Sequence, residues 1–263
     1  MSFVEPDSPS AANSDDALRV GVIGAGVMGT NHGRVLAGLP HVDLVGIVDP
    51  LDDHRKRADE LIGCPVFADL DGLLAAGVDA VTIAAPTHLH HEIALACIAH
   101  GAHVLVEKPI ASTAEEGRAI VAAARRANVT LMVGHVERFN PAVAAIKRAI
   151  EGEDILSIAI TRVGPFPPRM SNVGVVIDLA VHDIDLIRWF TESDIVDVQP
   201  QLSSAVAERE DIALLQFRTA SGVLAHINTN WLTPFKARNV TVATRHKYVQ
   251  GDLLTRQVTE CFG

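Results

Sequence analysis

The order of apolar segments predicts an α/β fold, with a doubly wound parallel sheet followed by a second, α+β domain. Three observations carry this reading. From Arg19 onward, short β-rich runs alternate with longer Ala- and Leu-rich stretches, as in successive βαβ units. The runs are apolar on both faces, which strands covered by helices on each side require. Beyond Pro141 the character changes to β-rich segments, two of them joined by a tight turn.

Residues 1–17 are rich in Ser, Pro and Asp and offer too little apolar surface to offset the entropy of ordering them, so they are expected to form a disordered tail. Strands are predicted at residues 19–23, 42–48, 80–84, 103–106 and 131–133, with helices at 27–39, 91–100 and 114–127. The last of these opens at Ser112 or Thr113, with Glu115 and Glu116 in its first turn, a favourable cap and a favourable charge for the helix dipole. The first domain is therefore placed at 18–137 and the second at 138–263. In the second, helices are predicted at 142–150 and 176–190. Strands follow at 155–163, 212–219, 223–230 and 240–249, with Ser221-Gly222 turning between two antiparallel neighbours.

Composition narrows the function. The 263 residues are 48% hydrophobic, enough for at least one substantial core, and carry a net charge of -10 without any block of Lys and Arg. That balance argues against nucleic acid or an anionic membrane as partner and favours a small soluble substrate. Cys64, Cys97 and Cys261 lie far apart, which suggests neither a disulfide framework nor a zinc site. No apolar run approaches the roughly 20 residues of a membrane-spanning helix, and the N-terminal stretch lacks the pattern of a secretory signal, so a cytoplasmic location is expected.

The strand RVGVI runs directly into Gly24-Ala25-Gly26-Val27-Met28-Gly29 and a helix, the context that gives a GxGxxG motif its meaning. Gly24 permits the tight turn, Gly26 lets the backbone approach a pyrophosphate, and Gly29 allows close helix packing. The N–H groups of Val27, Met28 and their neighbours then face the phosphates. Asp49, at the end of the second strand, is placed to accept hydrogen bonds from ribose hydroxyls and to repel a 2′-phosphate, so NAD is expected rather than NADP. Glycines serving only a tight turn are the bland alternative, and FAD is a further one that would call for more chain to cover its ring system.

Three segments carry the expected chemistry. Ala84 to His91 (AAPTHLHH) and Glu107-Lys108-Pro109 both follow parallel strands, at the carboxyl edge where open α/β sheets bind ligands. Ala85, Pro86, Thr87, His90, Glu107 and Lys108 are accordingly expected at the nicotinamide end of the cofactor. Lys108, fixed by the following proline, suits donation of a charge-assisted hydrogen bond to a substrate oxygen. The third segment, Asp178 to Asp183 (DLAVHD), puts Asp178 and His182 four residues apart on one helix face. There His182 can take a hydroxyl proton and Asp178 can orient it or bind a hydroxyl. The structural alternative makes Asp178 a helix cap and His182 a core side chain. The cluster of His88, His90 and His91 lacks carboxylate or thiolate partners at metal-binding spacing, so no metal is expected.

Together GAGVMG, Asp49, APTHLHHEIA, EKPIA, GHVERFNP and DLAVHDID resemble the glucose-fructose oxidoreductase, inositol dehydrogenase and MocA (Gfo/Idh/MocA) family, from about Arg19 to Gln257. The resemblance implies a Rossmann domain, then an open, mostly antiparallel sheet that forms the substrate pocket and a homo-oligomer interface, as dimer or tetramer. It carries the family's active-site lysine, aspartate and histidine onto Lys108, Asp178 and His182. GHVERFNP, NWLTP and KAR are most similar to the branch that oxidises C3 of UDP-N-acetylglucosamine, with inositol and simple sugar dehydrogenases as alternatives. In that setting Arg138, Asn140 and Arg169 are candidate substrate contacts. Family members usually run roughly 60 to 80 residues further, so the second domain is expected to be truncated at its C-terminus. His246 stands where relatives place a turn glycine, and strain is expected there if the turn needs positive φ.

The mechanism implied is hydride transfer from a ring C–H to NAD. His182 receives the hydroxyl proton, Lys108 stabilises the oxyanion and Asp178 fixes orientation. Two rivals stand beside it: a non-catalytic, NAD-responsive regulatory protein, and a redox-neutral glycosidase that oxidises its substrate transiently.

Overall fold

The computed structural model of the chain describes residues 17–166 and 173–263. It divides into two compact units, one ending at Gly134 and the other beginning at His135. The division falls inside the GHVERFNP segment, slightly ahead of the boundary expected between residues 137 and 138.

The first unit runs β1 (Leu18–Ile23), α1 (Val27–Ala37), β2 (Val42–Val48), α2 (Asp52–Ile62), β3 (Val66–Phe67), α3 (Leu70–Ala75), β4 (Ala80–Ile83), α4 (His90–Ala99), β5 (His103–Val106), α5 (Ala114–Ala127) and β6 (Leu131–Val133). Its six strands are all parallel, in the order β3-β2-β1-β4-β5-β6. The chain winds outward from β1 in one direction and from β4 in the other, so a crevice opens at their carboxyl ends, where dinucleotides bind in this topology. Ile47, Leu73, Ile83 and Ile120 are fully buried against the sheet, each worth about 1.5–3 kcal/mol of apolar burial. Thr113 caps α5 by accepting the Glu116 N–H at 3.2 Å, while the Glu116 carboxylate accepts the Thr113 N–H at 3.1 Å. Of the two alternatives for this cap, Thr113 is the one used.

Two helices of this unit were not expected. In α2 only Ala58 is buried, so the segment carries almost no apolar period from which to read a helix. The six residues of α3 are too few to show one, although Asp69 caps it by accepting the Gly72 N–H at 2.9 Å.

The second unit comprises α6 (Pro141–Ala149), β7 (Ile155–Pro165), a π turn (Val176–Ala180) leading into α7 (Val181–Thr191), β8 (Ile195–Ser203), β9 (Ile212–Thr219), β10 (Leu224–Asn230), β11 (Leu232–Thr244), β12 (Lys247–Asp252) and β13 (Gln257–Phe262). The sheet order is β13-β12-β11-β7-β10-β9-β8, antiparallel except where β7 meets β10. Ile146 of α6 and Leu186 and Ile187 of α7 cover one face, against Ile158, Ile160, Ile227, Val240 and Val242 of the strands. The opposite face exposes Leu214, Leu224 and Tyr248 among polar side chains.

The single strand expected over 240–249 is instead a hairpin that turns at Arg245-His246. Thr244 makes the turn: its Oγ1 accepts the N–H groups of His246 and Lys247 at 3.3 and 3.1 Å. The strain expected at His246 is absent, because the non-glycine residues with positive φ among those described are Asn128, Glu192 and Arg256. β8 also escaped sequence reading. It is an edge strand, exposed along nearly its whole length and interrupted by Pro200, and an edge is where a strand proline is tolerated.

Asn140 joins two parts of this unit. Its Oδ1 accepts the Ala142 N–H at 3.0 Å, capping α6, and its Nδ2 donates to the Leu253 carbonyl at 3.0 Å. Replacing Asn140 with Ala removes both bonds, and urea denaturation should show a loss of about 1–2 kcal/mol.

Candidate active site

The turn from β1 into α1 is built by steric exclusion. Gly24 has φ +98°, and a Cβ there would lie 2.7 Å from the Ala84 carbonyl oxygen; a Cβ at Gly29 would lie 1.7 Å from the Gly24 oxygen. Neither position accepts a side chain without moving backbone. Gly26 differs, since its Cβ direction meets nothing within 4 Å and opens onto a cleft of about 710 Å³. Gly24, Gly26, Val27, Met28, Asp49, His54, Ala85 and Pro86 are among the cleft's lining residues. The N-terminus of α1 carries no side-chain cap and no acidic residue in its first turn, so its N–H groups and dipole are available to an anion.

Asp49 sits at the carboxyl end of β2 and is only 6% exposed. Its Oδ2 accepts the Ala25 N–H at 2.8 Å and faces His54 Nδ1 at 3.1 Å, while Oδ1 accepts the Leu51 N–H at 2.9 Å. Burial pushes its pKa upward, but the hydrogen bonds from Ala25, Leu51 and His54 outweigh that and hold it below the usual carboxylate value. An ionised carboxylate in this largely apolar cleft fits the ribose hydroxyls of NAD and disfavours a 2′-phosphate. Apolar walls, an uncapped helix N-terminus and this carboxylate are together the donor and acceptor set that NAD requires.

Glu107 and Lys108 follow β5, and the Lys108-Pro109 peptide is cis. Glu107 is largely buried; its Oε1 lies 2.8 Å from His32 Nε2 on α1, and its Oε2 accepts the Lys108 N–H at 3.3 Å. Burial raises the Glu107 pKa, and the His32 contact together with Lys108 more than offsets it, so the group is held below the ordinary glutamate value. His90, expected beside the nicotinamide, is instead 1% exposed. Its Nδ1 lies 2.9 Å from the Pro109 carbonyl and its Nε2 2.9 Å from the Ala85 carbonyl. It staples the β4 loop to the Lys108-Pro109 turn and has no ring nitrogen left to face the cofactor. Pro86 is exposed and Thr87 half-buried, in a short 3₁₀ turn at the cleft's edge.

In the second unit Asp178 lies within the π turn and His182 in the first turn of α7, both half-buried. π turns inside helices are frequent at functional positions. Beside them is a buried ionic cluster. Arg162, 3% exposed, donates to the fully buried Asp183 through Nε and Nη2 at 2.9 and 2.8 Å, with Glu137 at 3.5 Å and Arg238 in turn 3.6 Å from Glu137.

Arg138 and Asn140, expected as substrate contacts, both have partners within the chain. The Arg138 guanidinium is paired with Asp185 through Nε at 2.7 Å and through Nη2, and it stacks 4.5 Å over Trp189. Asn140 spends both ends of its amide on α6 and Leu253, as described above. Arg169 lies outside the described residues. Among those described, no group of three or more His, Cys, Asp or Glu side chains is arranged to hold a metal ion, and no helix is long and apolar enough to cross a membrane. His32, His54, Gly134 and Arg162 were missed from sequence; His32, Gly134 and Arg162 meet partners distant along the chain, which spacing does not reveal, while His54 meets Asp49 five residues before it.

Comparison with known proteins adds independent findings. A family model for the Gfo/Idh/MocA oxidoreductase family, NAD-binding Rossmann fold, matches residues 18–135, and a Gfo/Idh/MocA C-terminal domain model matches residues 154–249. UDP-N-acetylglucosamine 3-dehydrogenase of Acidithiobacillus ferrooxidans is 31% identical over 90% of this chain and 74% of its own length. Inositol 2-dehydrogenase 1 of Saccharopolyspora erythraea is 36% identical over 80% of this chain, which spans 66% of that relative. The solved structure of the Acidithiobacillus enzyme superposes with a TM-score of 0.88 at 29% identity, covering 94% of this chain and 80% of that one.

Two consequences follow for the cleft. Gly29→Ala forces backbone displacement at the turn, so an NADH fluorescence titration should show affinity reduced by at least about 30-fold, or about 2 kcal/mol. Asp49 contributes stability that is fully present above the unfolded carboxylate value of 3.8 and is lost as pH falls through its lower folded-state value. Asp49→Asn should lack that acid-side step when urea unfolding is followed as pH falls below 3.8.

Proposed function

The chain belongs to the Gfo/Idh/MocA family of NAD-binding oxidoreductases, and we propose that it oxidises a secondary hydroxyl of a sugar, the substrate being UDP-N-acetylglucosamine and the product its 3-keto form. The observation that carries the redox reading is the β1–α1 cleft, with its uncapped helix N-terminus and ionised Asp49. The choice of substrate rests on extent of similarity. The nucleotide-sugar relative aligns over 90% of the chain, against 80% for the inositol relative, although the shorter alignment has the higher identity.

Bound NAD supplies the hydride acceptor. In this reading the Lys108 ammonium donates to the substrate oxygen as negative charge develops on it. His182 accepts the hydroxyl proton, and Asp178 orients His182 or a neighbouring hydroxyl. A homo-oligomer, dimer or tetramer, formed through the open sheet face that exposes Leu214, Leu224 and Tyr248 belongs to the same proposal and is measurable by light scattering.

The test is absorbance at the NADH band with UDP-N-acetylglucosamine, myo-inositol and glucose in parallel, with and without 2-oxoglutarate to recycle the cofactor. A rise with the nucleotide sugar, or turnover only with the acceptor, supports the proposal. A rise with myo-inositol alone replaces the substrate, and NAD binding without any turnover favours a regulatory protein. Lys108→Ala should lower kcat by about 10³-fold, some 4 kcal/mol of transition-state stabilisation, with NADH affinity unchanged within about threefold. Unaltered turnover in that variant would remove Lys108 from the mechanism.

A further inference from the structure

We propose that His32 is a positioning residue for Lys108, acting through the Glu107 carboxylate and thereby joining the cofactor-binding helix to the lysine that meets the substrate. The inference rests on the role given to Lys108 above.

The geometry confines Glu107 from three sides. His32, midway along α1, lies 2.8 Å from Oε1. On another side, Oε2 accepts the Lys108 N–H at 3.3 Å, tying the carboxylate to the backbone of the residue it is to position. Gly134, just after β6, forms the third wall; a Cβ there would come 3.2 Å from the Glu107 carboxyl carbon and one of its oxygens. The glycine is bonded in place, its N–H donating to the Val106 carbonyl at 2.8 Å, so the slot for the carboxylate is part of the sheet edge.

This arrangement serves orientation more than stability. A half-buried His–carboxylate pair gains little net energy once desolvation is counted, whereas fixing a backbone turn matters where a lysine must meet a developing charge. The same helix presents its first-turn N–H groups to the cleft and holds Glu107 further along its length. A displacement of α1 is therefore transmitted to the Lys108 turn through one side chain. Without His32, the Glu107 carboxylate loses the contact that fixes its orientation, and with it the hold on the Lys108 backbone.

The test compares His32→Leu, which abolishes the contact, with His32→Gln, which keeps a neutral donor at similar reach. Two readouts are taken: steady-state kinetics with the substrate identified above, and trace acetylation of Lys108 at fixed pH, quantified by mass spectrometry. The leucine variant is expected to lose about tenfold in kcat, with KM for NAD changed less than about twofold. Its Lys108 should acetylate at a rate at least about threefold different from the wild type, because the carboxylate that holds the Lys108 backbone is no longer fixed. The glutamine variant should recover most of both. Gly134→Ala crowds the same carboxylate from the opposite side and should also alter Lys108 acetylation, which keeps the test open if the leucine variant does not fold. Wild-type protein inactive toward every sugar would fail the proposed function, yet the acetylation contrast would still decide the role of His32. Wild-type-like acetylation in His32→Leu or, where that variant does not fold, in Gly134→Ala, or equal impairment of the leucine and glutamine variants, overturns the proposal.

Discussion

Close packing between α1 and the two central strands of the first sheet is the constraint on which the rest of that unit depends. The helix approaches the Gly24 carbonyl so nearly that residue 29 has no room for a Cβ, and residue 24 must take a positive φ beside Ala84. That proximity holds the start of α1 against the ends of β1 and β4, where the strand order reverses. It also brings the Ala25 N–H within 2.8 Å of Asp49. One backbone crowding problem, solved by two glycines, thus places an uncapped helix N-terminus and an ionised carboxylate in the same cleft.

The second unit is organised around charge. Arg162, Asp183, Glu137 and Arg238 form a connected group whose centre is almost wholly removed from water. Replacing such buried groups by apolar residues of similar volume is often neutral or stabilising, so net stability does not explain them. What they do is angular. Asp183 immediately follows His182, and its two-point contact with Arg162 on β7 fixes the rotation of α7 about its own axis. Asp185, two residues on and paired with Arg138, holds another side of the same turn. Because an Arg–carboxylate fork tolerates little misalignment, α7 is pinned more sharply than its apolar face of Leu186 and Ile187 alone would pin it.

The parallel sheet, its glycine turn and the cap of α5 were legible in the sequence because each writes a local signal: apolar runs, a motif between strand and helix, a threonine followed three residues later by a glutamate. The elements that escaped have no such signal. In α2 a single residue is buried, and β8 is an exposed edge with a proline, so neither needed a period. The hairpin of β11 and β12 read as one strand because Thr244, rather than a glycine or an Asn-Gly pair, makes its turn. Among site residues, those set by backbone position could be read, including Gly24, Gly26, Gly29 and Asp49. His90 looked like a ligand contact because its chemistry allows it, yet both its ring nitrogens face carbonyls of the chain; Arg138 and Asn140, read as substrate contacts, also have internal partners, Asp185 with Trp189 and a helix cap with Leu253. Residue type records what a side chain can bond; only the fold records whether that capacity is already used.

The same reasoning distinguishes α1 from its neighbours. Every helix leaves N–H groups unsatisfied at its start, and an unmet donor away from water is costly. Among the described α-helices, α3, α5 and α6 meet this need with Asp69, Thr113 and Asn140, while α2, α4 and α7 carry Asp52 and Asp53, Glu92 and Asp183 in their first turns. α1 has neither device. Its first residues, Val27 and Met28, are apolar and line the cleft, and no side chain among the described residues caps those donors. An anion is the partner that completes them, and with the ionised Asp49 lining the same cleft the complementary ligand carries phosphate at one point and hydroxyls at another. The absence of a cap is therefore the chain's clearest statement about the cofactor, because α1 alone among the described α-helices has neither a side-chain cap nor an acidic residue in its first turn.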